Sequence, residues 1–147
     1  MNQIHFIGSN DLNGLNLGVF FIRVHPWSLN LVLRALSYTY YHGNKNLKYL
    51  EQTAINNVLL ESGDEEHYIM VPQNWFNSQL SNVEEGDFLI HLAGEKEKDW
   101  KGKDIRTKTK MYKYWLQKSN QDLWNAAQEY YNLPREEQDH LGPQIEK

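Results

Sequence analysis

The first third of the chain carries one strand-like and one helix-like run of hydrophobic positions. Residues 17–24 are mostly β-branched or aromatic and are apolar on both faces, which predicts a strand buried between two layers of a parallel or mixed sheet. Turn-forming residues at 10–14 lead into this strand. A helix is then predicted from Pro26, which suits a first helical position, to a stop at 42–44. Its apolar stripe consists of Trp27, Leu29, Leu31, Val32, Leu36 and Tyr40.

The rest of the chain predicts two further helices and two further strands. An amphipathic helix is expected over 47–60, with its stop at 62–64, and short strands over 68–71 and 87–92. A long helix is expected over 106–132. Its predicted core-facing residues are Met111, Trp115, Leu116, Leu123, Trp124, Ala127 and Tyr131. This order of elements favours an α/β layered domain. Three strands make a thin sheet for so many large aromatic residues, so we expect a partner or a further part of the fold to cover them.

Composition narrows the class of protein. The chain of 147 residues has about the length of one domain, and its 40% hydrophobic and 23% charged residues are typical of a folded globular protein. Because the chain has no cysteine, disulfides, thiolate zinc sites and cysteine nucleophiles are excluded. The sequence contains neither an apolar run long enough to cross a bilayer nor a signal-peptide pattern.

Charge is distributed unevenly along the chain. The net charge is −4, which argues against general nucleic-acid binding. The segment 95–118 nevertheless holds nine basic and four acidic residues, a net charge of +5 against −9 for the rest. Such a segment suits an anionic small ligand, a membrane surface or a plain solvated helix face. We expect no nucleic-acid partner.

Four places combine residue types that bind ligands or carry chemistry. They are the amide- and glycine-rich run 13–18, the pair Glu51-Gln52, the loop 71–77 with Trp75 and Asn77, and His91 at a strand end. Carboxylates and amides suit sugar hydroxyls, aromatic rings stack on sugar faces, and an imidazole can bind a metal or move a proton. Each also has an ordinary structural interpretation: a tight turn, a solvated face, an anchored loop and a core histidine. The chain shows no phosphate-binding glycine loop, HExxH motif or serine-nucleophile elbow.

The order of these motifs is more specific than any one of them. Asn-Gly-Leu-Asn-x-Gly-Val-Phe-Phe-Ile-Arg, Trp-Ser, Glu-Gln-Thr-Ala, Val-Pro-Gln-x-Trp-Phe-Asn and Gly-Asp-Phe-Leu-Ile-His-Leu-Ala-Gly follow one another. In this order they resemble glycosyltransferase family 34, the fungal and plant Golgi α-galactosyl-, α-mannosyl- and xylosyltransferases. The resemblance covers roughly residues 10–94.

The resemblance implies a GT-A (nucleotide-diphospho-sugar transferase-like) fold with a mixed sheet flanked by helices. It also implies a UDP- or GDP-hexose donor, a glycan acceptor, a Mn²⁺ ion, and transfer of galactose or mannose with retained anomeric configuration. Glu51 would bind donor-sugar hydroxyls and Gln52 would lie near the anomeric carbon. His91 would be a metal ligand, and Trp75 and Asn77 would contact sugar. The remaining donor-binding residues would be Asn16, Gly18, Gly94, Lys96 and Lys98.

The sequence departs from the family pattern in two ways. It contains no Asp-x-Asp, the motif with which the family's metal site begins, and no membrane anchor. We therefore expect the C-terminal half of such an enzyme, with residues 1–105 in the GT-A domain and 106–147 forming the long helix and a charged tail packed on it. The compartment implied by the family is the Golgi. The alternative hypothesis is a non-catalytic remnant that acts at most as a weak carbohydrate-binding or interaction module, and a homo- or hetero-oligomer is compatible with either.

Overall fold

The computed structural model describes residues 3–43, 47–79, 82–84, 87–91 and 119–144. The chain divides into two compact units, Met1–Pro72 together with Asp139–Lys147, and Gln73–Gln138. Both strands and helices occur, so the α/β class is confirmed. The predicted boundary between 105 and 106 lies outside the described residues and stays a prediction.

The first unit is built on a small mixed sheet. Strand β1 (Phe6–Asp11) pairs antiparallel with β2 (Gly14–Ile22) and parallel with β3 (Tyr68–Met70), in the order β2-β1-β3. Phe6 lies opposite both Ile22 and Tyr68, and the β1–β2 register shifts between Ile7 and Ser9. The predicted turn is confirmed as the β1–β2 hairpin, where Gly14 has φ +101°, a backbone conformation that glycine adopts without a steric penalty.

The prediction of a strand buried on both faces is wrong. Phe20, Phe21 and Ile22 are 38–47% exposed, and β2 lies at the edge of its sheet, with β1 as its one neighbour among the described strands. Hydrophobic periodicity indicates which side chains of a strand share a face, but it does not indicate whether that strand lies in the middle or at the edge of a sheet. Strand β1 was missed because Gly8, Ser9, Asn10 and Asp11 are turn formers rather than strand formers.

Three helices follow in the first unit. Helix α1 (Pro26–Leu36) begins at the predicted proline, and His25 Nδ1 accepts a hydrogen bond from Trp27 N at 3.2 Å to cap it. Ser37 ends α1 and a short helix α2 (Tyr38–His42) ends at Gly43, which has φ +72°. Helix α3 (Glu51–Ser62) starts four residues later than predicted and stops, as predicted, at a left-handed Gly63.

The core of the first unit lies between the sheet and α1 and α3. Its fully buried members are Phe6, Leu15, Leu31, Tyr38, Ala54, Val58, Leu59 and Met70. The predicted apolar stripe is wrong in four of its six members, since Leu29, Val32 and Leu36 on α1 are 62%, 37% and 76% exposed and Tyr40 on α2 is 83% exposed. Apolar residues surround nearly the whole of α1, so the pattern could not select the face that the core covers.

In its described residues, the second unit contains short elements and one helix. A 3₁₀ turn (Gln73–Trp75) precedes β4 (Ser78–Gln79), which pairs in parallel with β5 (Ile90–His91). Helix α4 spans Asn120–Tyr131 and is followed by a second 3₁₀ turn (Arg135–Glu137). Of the strand predicted over 87–92, the structure shows β5, while Leu92 lies outside the described residues. No helix in the described ranges is long and apolar enough to span a membrane.

The single long helix predicted over 106–132 is wrong at Ser119. This residue is extended, and its side chain and that of Asp122 cap each other's backbone N–H groups, so α4 begins at Asn120. Residues 106–118 of the prediction lie outside the described residues. Within α4 the predicted inward residues Leu123 and Trp124 are about half exposed, whereas Tyr130 is buried, its ring centroid 5.2 Å from that of Trp75.

Candidate functional site

The hairpin β1–β2 and the start of α3 meet at one end of the first unit. Leu17 N donates to Gln52 Oε1 at 2.9 Å, a contact between residues 35 positions apart. One residue to either side, Gly18 N donates to Asn16 Oδ1 at 2.8 Å, and Asn16 Nδ2 donates to Asp11 Oδ2 at 2.7 Å. The structure thus brings three predicted donor-site residues, Asn16, Gly18 and Gln52, into one connected network.

Asp11 organises the hairpin side of this network. Its second oxygen, Oδ1, accepts from Asn13 N at 2.6 Å, while Asn13 Oδ1 accepts from the Tyr49 hydroxyl at 3.0 Å. One carboxylate therefore orients both the turn and the buried Asn16 amide. Hydrogen bonds to a charged acceptor are stronger than neutral ones, which favours a rigid arrangement.

Glu51 and Gln52 occupy the first turn of α3 and differ in what their side chains contact. The Gln52 carbonyl oxygen is used by Leu17, whereas no described residue accepts a hydrogen bond from its Nε2. Glu51 is exposed, and within the described ranges its carboxylate has neither a hydrogen bond nor an ion pair. The first turn of α3 thus presents an oriented amide donor on Gln52 and an exposed carboxylate acceptor on Glu51, two groups that can pair with sugar hydroxyls.

The C-terminal segment 139–144 lies against this network, which the sequence did not predict. Gln144 Nε2 donates to Leu15 O at 3.2 Å and Gln144 Oε1 accepts from the Thr53 hydroxyl. A Cβ on Gly14 would lie 3.3 Å from the Gln144 Cα, so the close approach requires glycine there. Gln144 stands 91 residues from Thr53, and no local pattern signals a contact at that distance.

The second unit holds three other predicted residues. Trp75 is half-buried and its ring meets those of Tyr130 and Tyr131 edge-to-face. Asn77 is fully buried, and its backbone N–H donates to Gln73 O at 2.9 Å. His91 is half-buried on β5, opposite Gln79. Their predicted contacts with sugar and metal stay predictions.

Further predicted residues, Gly94, Lys96 and Lys98, lie outside the described residues. Within the described residues there is no group of three or more His, Cys, Asp or Glu side chains that could hold a metal ion. This part of the chain does not by itself fit a manganese centre, because His91 would supply one ligand of the several that such an ion needs.

The model of the galactosyl transferase GMA12/MNN10 family, which is glycosyltransferase family 34, matches residues 1–100. That range includes all ten predicted site residues. No curated protein and no solved structure gave a match.

Proposed function

Because the chain belongs to the galactosyl transferase GMA12/MNN10 family, we propose that it transfers a hexose, galactose or mannose, from a nucleotide sugar to a glycan with retained anomeric configuration. In this step the bond from the sugar C1 to the diphosphate oxygen breaks and a bond from C1 to an acceptor oxygen forms. The acceptor proton leaves with the diphosphate. The observation that carries the proposal is the Leu17–Gln52 hydrogen bond, which places Gln52 beside Asn16 and Gly18.

Gln52 is the proposed catalytic residue and Glu51 its partner in binding. With Oε1 bound to the backbone of β2, the Gln52 amide can point only its N–H₂ group at a ligand, where it would stabilise an oxygen beside the anomeric carbon. The Glu51 carboxylate would accept from hydroxyls of the donor sugar. Both groups lie on a helix rather than a loop, which limits their motion.

Other elements of the proposal concern residues farther along the chain. Lys96, Lys98 and backbone amides at Gly94 would neutralise the departing diphosphate, with Trp75 contacting the acceptor. Asn77, predicted as a second sugar contact, is fully buried and would instead support the loop that carries Trp75. His91 would supply one ligand to a divalent cation whose function is to offset phosphate charge. The architecture would be of the GT-A type. The compartment would be the Golgi, which fractionation of cells expressing the protein would test.

The proposal is tested by comparing amide variants. Gln52→Ala should lower sugar transfer from UDP-galactose or GDP-mannose by about 100-fold, the scale of losing one preorganised donor. Gln121→Ala is the matched control, because Gln121 is an exposed amide on α4 that contacts Asn125. Product formed on a radiolabelled glycan is the readout.

Two results would contradict the proposal. One is equal transfer by the Gln52 and Gln121 variants. The other is glycan binding without any transfer from either donor by a wild-type chain that melts cooperatively, which would favour the non-catalytic alternative.

A further inference from the structure

A pocket opens at the C-terminal end of α3, away from Gln52. It has a volume of about 280 Å³ and lies where α1, α2 and the end of α3 meet. Glu61 lines it and lies nine positions after Gln52 on the helix, or about 14 Å along the axis. None of the residues predicted for sugar transfer lines this pocket.

The floor of the pocket is rigid. Tyr38 and Val58 are 1% and 2% exposed and belong to the core. The Tyr38 hydroxyl donates to Glu61 Oε1 at 2.6 Å, and burial together with Glu61 raises the pKa of Tyr38, so this donor stays protonated. The His42 ring stacks on Tyr38 at 4.1 Å, with its Nε2 3.4 Å from Glu61 Oε2. The Glu61 carboxylate is thus held in place while 41% of its side chain stays exposed.

Two other lining residues, Arg34 and Tyr41, offer a hydrogen-bond donor and an aromatic face. The Arg34 side chain makes no hydrogen bond or ion pair with any described residue, so its N–H groups are available. Tyr41 is 75% exposed, and its contact with Tyr40 is edge-on at 89°. The pocket therefore combines a fixed acceptor, an unused bidentate donor and an open ring.

We propose that this pocket binds one neutral pyranose ring, with Arg34 and Glu61 pairing with its hydroxyls and Tyr41 stacking on its apolar face. A pyranose presents hydroxyls that both donate and accept around a ring with an apolar face, which is the chemistry the pocket offers. An anion fits less well, because the Glu61 carboxylate faces it. The volume is slightly below that of ordinary ligand pockets, which suits one sugar ring rather than an oligosaccharide.

The pocket binds sugar independently of transfer. A second role, holding a further residue of the acceptor glycan, rests on the proposed function. The two are separable because Gln52→Ala should lower transfer by about 100-fold and leave binding at this pocket unchanged.

The test is a titration of the full 147-residue chain with methyl α-D-mannopyranoside and, in parallel, methyl α-D-galactopyranoside, followed by amide chemical shifts. We expect at least one glycoside to shift the amides of Arg34, Tyr41 and Glu61. Tyr41→Ala should weaken the binding about tenfold through loss of the stacking face. Phe88→Ala is the matched control, because Phe88 is an aromatic residue that is 60% exposed and does not line the pocket.

Three outcomes would overturn the proposal. The first is that neither glycoside shifts these amides. The second is that Phe88→Ala weakens binding as much as Tyr41→Ala does. The third is that inorganic phosphate shifts them while the glycosides do not, which would make the pocket an anion site.

Discussion

Three histidines and a tryptophan lie against one another beside the first strand. The His5 ring stacks on that of His25, with centroids 3.9 Å apart, and lies 5.2 Å from that of His67. Trp27 packs on the same ring and donates from Nε1 to Asp64 Oδ2 at 3.1 Å. Burial lowers the pKa of His5, and the nearby His25, His67 and Arg23 lower it further.

This cluster makes stability depend on pH. The unfolded chain protonates His5 around its ordinary pKa of 6.5, whereas the folded chain resists that proton, so the stabilisation is present above pH 6.5 and is lost as the pH falls below it. We expect the free energy of unfolding, measured by denaturant titration between pH 5 and 8, to fall on the acid side. His5→Phe should reduce that dependence, while His140→Gln, at an exposed position, should not. Identical pH profiles for all three proteins would contradict the role of His5.

The sequence predicted some residues of the candidate site and missed the role of another. Asn16, Gly18 and Gln52 were predicted from motif order, and the structure connects them. Asp11, which orients Asn16, was predicted as a turn residue only. The order of motifs predicted residues that would contact a ligand, whereas the tertiary structure was needed to show that Asp11 orients Asn16.

Among the helices and strands, two helix ends were predicted correctly, whereas a buried helix face and the position of a strand in its sheet were not. Pro26 begins α1 and Gly63 ends α3 as predicted, because caps depend on residues within one turn of each other. The Ser119–Asp122 capping box is equally local, yet apolar periodicity extended the predicted helix across it. The buried face of α1 and the edge position of β2 depend on neighbouring elements, so periodicity alone predicted them wrongly.

The C-terminal segment 139–144 joins β2 to α3 through the Gln144 side chain. Gln144→Ala removes one hydrogen bond to β2 and one to α3 and should lower the free energy of unfolding by about 1–2 kcal/mol. Gln121→Ala, on the exposed face of α4, should change it by less than about 0.5 kcal/mol. Equal denaturation midpoints for the two variants would show that segment 139–144 does not join β2 to α3.

The described part of the chain exposes several large apolar side chains. Leu29, Leu33 and Leu36 are 54–76% exposed along one side of α1, and the last residues of β2 are exposed as well. The expectation that a partner or a further part of the fold covers large apolar side chains is compatible with these exposures.

We expect a nucleotide bound together with Mn²⁺ to stabilise the folded chain. With Mn²⁺ and either UDP or GDP at a hundredfold excess over the dissociation constant, the folded state should gain about 2.7 kcal/mol, measured as an upward shift of the thermal melt. His91→Ala should lose the part of the shift that requires Mn²⁺, and His140→Gln should keep it. A shift of equal size in both variants would refute His91 as a metal ligand.

The sequence by itself determined the family, the α/β class, the hairpin turn, and the start of α1 and stop of α3. These follow from residues close together in the chain or from the order of motifs. Only the tertiary structure decided which face of α1 is buried, that β2 lies at an edge, and that Leu17 meets Gln52 while Gln144 meets Thr53. The physical reason is that each of these depends on contacts between residues far apart in sequence, which a local pattern of polar and apolar positions does not encode.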